Sequence, residues 1–259
     1  MPRTDGAARF LVAAAAVLLA LGGPAAAACD RAGFVVAVDP GHTAPQPGAT
    51  SARGVPELRF NDRLAARIVG ALHDAGFARA FLTRRGDAPM TLDERARIAN
   101  ARAARLFVSV HHDSAQPQKL RSWSYGGQRR LYTDEIRGFS LFVSQRNAEP
   151  AASEGFARLL GAHLLAACRR PTLHHAEPIT GENRELLDPT IGLYRFDELA
   201  VLRLTQMPAV LFEAGVIVHR EEELLLRSRA HQRRLAAAVT AAVIDFCEAR
   251  PATPAATCR

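Results

Sequence analysis

One lysine, Lys119, stands among 33 basic residues, and aromatic residues make up 6% of the 259. Positive charge is therefore almost all guanidinium, which suits planar recognition of carboxylate or phosphate. The arginines are scattered and not interleaved with aromatics, so no nucleic acid partner is expected. The longest apolar run, residues 10–21, falls short of the ~20 residues that span a bilayer, which excludes a multipass membrane protein. Internal repeats and low-complexity linkers are lacking, which excludes a repeat array. With 48% apolar and 23% charged residues, the composition is neither disordered nor collagen-like, and it predicts one packed body with a formal net charge of +7.

The apolar run has a specific place. Arg3 and Arg9 lead into it, and Gly22, Gly23, Pro24 and a string of alanines ending at Ala28 follow it. This is the pattern of a secretory signal over residues 1–28, cleaved near Ala28, with no stable membrane insertion afterwards. The mature chain is then expected to be periplasmic or secreted. It stays basic, because the segment removes only Arg3, Arg9 and Asp5 from the charge count. All four cysteines, Cys29, Cys168, Cys247 and Cys258, lie beyond the signal, and in an oxidising compartment they predict two disulfides with three connectivities open. Cys29 also stands where a lipoprotein acceptor would, although alanines precede it where a leucine is usual.

Residues 34–38 (FVVAV), closed by Asp39, Pro40 and Gly41, have the pattern of a buried strand ending in a turn. From Phe60, the residues Leu64, Ile68 and Leu72 recur every fourth position up to Gly76, which predicts an amphipathic helix. Residues 80–83 read as a second strand. Thr91 and Glu94 form a capping box for a helix to about residue 104. Residues 106–110 and 138–143 read as strands with a long loop between them that holds Trp123 and Tyr125. Ser153 is expected to cap a helix carrying Phe156, Leu159, Leu160 and Leu164. Residues 208–212 form a last strand, and 228–248 a closing helix. This alternation predicts an α/β fold: a single domain over residues 29–250 with a twisted, mostly parallel central sheet flanked by helices on both faces, and a tail at 251–259.

Ligands of open α/β sheets bind beyond the carboxyl ends of the strands. His42 lies four residues past the first expected strand, His111 directly follows the third, and Glu213 directly follows the last. Glu57, at the start of the next helix, can return to that edge. Two imidazoles and a carboxylate suit an open zinc site, and a second carboxylate nearby can take a proton from water. The other histidines are read as supporting residues. His73 suits a helix C-terminus, and His163, His219 and His231 are surface or satisfied groups. His112 alternates with His111 and points to the other sheet face as a supporting or substrate contact. His174 and Glu177, spaced HxxE, make a rival metal pair framed by Pro171 and Pro178 in a loop.

With these residues placed, the chain resembles the zinc-dependent N-acetylmuramoyl-L-alanine amidases, the type 3 catalytic domain of bacterial cell-wall amidases. The matching segments are VVAVDPGH (35–42), PGA (47–49), Glu57 with Asn61, FLTR (81–84), TLDERARIAN (91–100), LFVSVHHDS (106–114), GFSLFVS (138–144) and VLRLTQMPAVLFEAG (201–215). They fall in family order across the mature chain. Thr43, Ala44 and residues 216–219 (VIVH) depart from the family pattern. The resemblance implies one Zn2+ on His42, Glu57 and His111, with Glu213 as the catalytic glutamate. It implies peptidoglycan as substrate, cut between N-acetylmuramic acid and the L-alanine of the stem peptide, and it leaves room for a protein activator. The alternatives are a zinc peptidase acting on wall peptides and an inactive peptidoglycan-binding module that keeps its zinc.

Overall fold

A computed structural model describes Met1 and residues 29–86 and 89–251. The expected signal, apart from Met1, and the end of the tail with Cys258 lie outside the described residues. In chain order the elements are β1 (Val36–Pro40), α1 (Glu57–Asp74), β2 (Phe81–Leu82), α2 (Leu92–Ala101), β3 (Leu106–Asp113), β4 (Arg121–Tyr125), β5 (Gln128–Tyr132), β6 (Ser140–Val143), α3 (Pro150–Ala166), β7 (Glu185–Asp188), β8 (Leu193–Arg195), α4 (Ala200–Leu204), β9 (Ala209–Val216), α5 (Arg220–Arg227) and α6 (Arg229–Cys247). Seven strands form one sheet in the order β2-β1-β3-β9-β6-β8-β7. The neighbours from β2 to β9 are parallel, β6 turns antiparallel against β9, and β7 is antiparallel to β8.

Helices cover both faces, as the alternation of elements predicts. On one face Val36, Val38, Val108, Val110, Val210 and Phe212 pack with Leu64 and Ile68 of α1, Leu160 of α3 and Val239 of α6. On the other, Val35, Ala37, Phe107 and Leu211 meet Ala99 of α2 and Val201 and Leu202 of α4. Strands buried on both sides must be apolar throughout, which is why β1, β3 and β9 read as near-continuous hydrophobic runs. Each such side chain contributes about 1.5–3 kcal/mol on full burial. The capping box of α2 forms as expected, with the Glu94 amide donating to Thr91 Oγ1 at 3.2 Å and the Thr91 amide to Glu94 Oε2 at 2.7 Å.

Several boundaries differ from expectation. His111 and Glu213 lie inside β3 and β9 and not after them, because pairing with the neighbouring strand extends each run past its last apolar residue. Ser153 does not cap α3. Pro150 opens that helix after Glu149, and Ser153 Oγ donates back to the Glu149 carbonyl at 2.8 Å while accepting the Ala209 amide at 2.9 Å. The long loop after β3 contains the β4–β5 hairpin. Gly126 and Gly127, at φ 59° and 74°, supply the two left-handed residues that a type I′ turn requires. Arg53 stacks on Trp123 and Tyr125, Arg220 on Trp123 and Tyr132, and Trp123 Nε1 donates to the Ala52 carbonyl at 3.0 Å.

A disulfide joins Cys29 to Cys247, 218 residues apart, and ties the start of the described chain to the end of α6. Cys168 is disulfide-bonded as well. The Cys29 sulfur is thus engaged within the fold, which removes the lipid-acceptor reading.

Candidate metal centre

His42, Glu57 and His111 converge at the carboxyl edge of the sheet. Glu57 lies between the imidazoles, its Oε2 2.9 Å from His42 Nε2 and its Oε1 3.1 Å from His111 Nδ1. The rings stand 4.9 Å apart at 71°. His42 and His111 keep 29% and 17% of their side chains exposed against 5% for Glu57, so the cluster is closed below and open above. It opens into a groove of about 600 Å³ whose walls include Thr43, Gln46, Met90, Leu199 and Leu211.

His42 and Glu57 are held in place by hydrogen bonds from neighbouring elements. His42 sits at φ 67°, a left-handed conformation uncommon for a residue with a side chain. Its carbonyl accepts a hydrogen bond from Arg95. Arg95, 2% exposed, also donates to the Pro40 carbonyl at 2.7 Å and to Asp39 Oδ1 at 3.1 Å. Asp39 in turn accepts from Thr83 Oγ1 at 2.5 Å and Ser109 Oγ at 2.9 Å. Glu57 is the first residue of α1, after Pro56. Its carboxylate accepts the amides of Ala49 (3.1 Å) and His112 (3.2 Å) and Asn61 Nδ2 (3.0 Å). Burial raises the pKa of Glu57, but hydrogen bonds and charge from His111 and His42 override it and hold the carboxyl well below its usual range.

The donor set fits a zinc-class ion: two imidazoles and one carboxylate, with ligating atoms within 4.8 Å of one another. The backbone leaves room for it. A Cβ on Gly48 would fall 2.4 Å from Glu57 Oε2 and 2.7 Å from His42 Nε2, and one on Gly41 would fall 2.3 Å from the His111 ring. Gly48 also takes φ 77°, so both backbone shape and space require glycine there.

Glu213 is the register partner of His111 in the adjacent strand, so both side chains emerge on the α2–α4 face of the sheet. Just beyond, β9 carries an extra residue: Asp113 pairs with Val216 and not with the residue two past Glu213. Such bulges recur beside active sites. Glu213 Oε2 is sealed from solvent and, among the described residues, has no hydrogen-bond partner. Burial, then the negative charges of Asp113 and Glu57, push the Glu213 carboxyl well above its ordinary pKa. A carboxyl so displaced holds its proton more tightly than an exposed glutamate does.

The four residues singled out in the sequence therefore gather at one edge. Among the others, His112 points to the α1 face as expected and contacts Asn61 Oδ1 through Nδ1 at 2.7 Å. Burial pushes its pKa down to about 3, so the ring is neutral. His73 meets the Ala80 carbonyl at 2.8 Å, His163 pairs with Asp245 at 2.7 Å, and His219 caps α5. The HxxE pair does not form. Glu177 binds Lys119 at 2.6 Å, while the His174 ring lies 3.9 Å from that of His175, tilted by 37°, beside Asp113. Sequence reasoning missed that grouping. A groove of about 960 Å³ lies elsewhere, between α1 and α6, and among the described residues it brings together no metal-ligand cluster.

The molecule is an open, mostly parallel α/β sheet whose carboxyl edge carries two imidazoles and a carboxylate that could hold a metal ion, with the Glu213 carboxyl on the neighbouring strand. The chain belongs to the N-acetylmuramoyl-L-alanine amidase family, Amidase_3, which matches residues 36–245. It is 27% identical over 239 residues to a probable N-acetylmuramoyl-L-alanine amidase, AmiB, of Haemophilus influenzae, covering 82% of this chain and 52% of that one. It thus spans about half the length of that relative. It is also 27% identical to the N-acetylmuramoyl-L-alanine amidase AmiA of Escherichia coli, with 82% of this chain and 75% of that one covered. The fold is shared with the N-acetylmuramyl-L-alanine amidase Ami1 of Mycobacterium smegmatis at a TM-score of 0.66 and 23% identity, over 84% of this chain and 98% of that chain.

Proposed function

We propose that the protein hydrolyses the amide bond between the lactyl group of N-acetylmuramic acid and the L-alanine of peptidoglycan stem peptides. His42, Glu57 and His111 would hold one Zn2+ and Glu213 would move the proton. The observation that carries this reading is the convergence of three ligand-type side chains on one sheet edge, with the half-buried Glu213 carboxyl in register with His111, in a chain of the amidase family.

When bound, zinc supplies a Lewis acid that acidifies water to a pKa of about 7 and polarises a carbonyl. This chain's own residues do the rest. The Glu213 carboxyl, which lines the pocket beside Asp113, accepts a proton from the attacking water and returns it to the departing L-alanine nitrogen. His112, kept neutral by burial, fixes Asn61, and Asn61 fixes Glu57. The groove beside His42 and His111, with Met90, Leu199 and Leu211 in its wall, takes the substrate. Arg184, lining the smaller pocket that contains Glu213, is placed to meet a stem-peptide carboxylate.

The same reading places the protein in the periplasm or outside the cell after removal of residues 1–28. Among the described residues no helix is long and apolar enough to cross a membrane. The test is digestion of purified sacculi followed by mass spectrometry of the soluble products. Free stem peptides beginning with L-alanine support the reading. Cuts only within peptides would point to a peptidase, and binding to sacculi without release would point to an inactive wall-binding module.

A further inference from the structure

Two residues along β3 from His111, a second cluster stands apart from the first. Asp113 Oδ2 lies 2.8 Å from His175 Nε2 and 3.5 Å from His174 Nε2. The three ligating atoms all fall within 4.8 Å of one another. His174 and His175 are 6% and 8% exposed, and both sit on the short 3-10 turn His174–Ala176.

The far nitrogens of both rings are already engaged. Thr172 Oγ1 meets His174 Nδ1 at 2.9 Å, and Glu182 Oε2 meets His175 Nδ1 at 2.8 Å. Glu182 is itself held by Gln116 Nε2 at 2.9 Å. A partner behind each imidazole, fixing the ring so that the opposite nitrogen faces a common point, is how metal-ligating histidines are oriented. A structural ion pair accounts for part of this: His175 between Asp113 and Glu182 is satisfied at both nitrogens. It serves His174 less well: its buried Nε2 makes no hydrogen bond among the described residues and stands 3.5 Å from the same carboxylate. An orphaned buried nitrogen is costly, and a shared cation at that point satisfies it together with Asp113.

We infer that Asp113, His174 and His175 form a second divalent metal site. Two imidazoles and one carboxylate select a zinc-class ion over Mg2+ or Ca2+, which prefer all-oxygen ligands. The site opens into a pocket of about 210 Å³ that Asp113 and His175 share with Glu182, Arg184 and Glu213. The ion would therefore face the carboxyl proposed to move the proton. This inference stands on its own residues and does not depend on what the first cluster binds.

The test counts zinc. The whole protein is stripped with chelator, loaded with zinc chloride, desalted and assayed for metal per chain, with circular dichroism checking each variant's fold. The wild type is expected to hold two ions, and His174→Gln and His175→Gln to hold one each. A wild type that holds a single ion, lost in His42→Ala, would overturn the inference, as would two ions persisting in both His174→Gln and His175→Gln. Should those variants fail to fold, Co2+ titration of the stripped wild type and of His42→Ala decides the matter. Co2+ absorption that persists in His42→Ala supports the second site, and absorption lost entirely in His42→Ala contradicts it.

Discussion

Two imidazole–carboxylate clusters share one edge of the sheet, and they are built to different standards. In the first, each member is fixed by a separate element: His42 by buried Arg95, Glu57 by three further hydrogen bonds at the start of α1, and His111 by its place in the central strand β3. In the second, only Asp113 sits on a strand, while both histidines ride on a single 3-10 turn. A site whose ligands come from three fixed elements is preorganised, and its geometry survives without the ion. A site carried by one turn can shift as a unit. The contrast predicts that the first cluster governs turnover and the second leaves the fold's core untouched.

The largest effect expected on the preorganised side is that of His111→Ala. It should remove one zinc equivalent and lower kcat/KM by more than the about 10–100-fold typical of losing a supporting partner of a ligand. Metal analysis with sacculus turnover measures both. Next is the buried pair beneath His42. Arg95→Met leaves Asp39 without its cation and should cost about 3–5 kcal/mol in a denaturant titration, together with weaker zinc binding because the His42 carbonyl loses its anchor.

A smaller effect comes from pH. Burial, then Arg169, pushes the pKa of His231 down to about 4, against 6.5 for a free histidine. The folded ring stays neutral where the unfolded one takes a proton. Stability of the metal-free protein is therefore fully present above pH 6.5 and falls as pH drops from there toward 4. His231→Gln should make that fall shallower. An unchanged slope would show that the ring titrates normally. The smallest effect belongs to the exposed hairpin, where Arg121 and Glu135 are 71% and 60% exposed. Arg121→Ala should change stability by less than about 1 kcal/mol. A larger loss would mean that the hairpin is held as firmly as the sheet edge.

The long elements were legible because their burial imposes a period. Leu64, Ile68 and Leu72 line one helix face, and the runs at β1, β3 and β9 are apolar on both sides. β7 and β8, at four and three residues, are too short to show any period. The hairpin is exposed or half-exposed along both strands and so lacks an apolar face. Its Gly126-Gly127 pair between Tyr125 and Gln128 was the one available signal. For the site, strand ends in the sequence alone put His42, His111 and Glu213 at a common edge, and the start of a helix adds Glu57. The grouping of Asp113 with His174 and His175 was not legible. It depends on how the segment after α3 docks against β3, and the HxxE spacing pointed to Glu177, which the fold turns toward Lys119.

The central claim is that a proton passes through one half-buried carboxyl, Glu213, while other side chains hold the metal. Zinc content and sacculus turnover of Glu213→Gln, measured on the same preparation, test it most directly. The account predicts metal content equal to wild type and a fall in turnover of about 10²–10⁴-fold. Turnover within a few-fold of wild type, or loss of zinc together with activity, would contradict it.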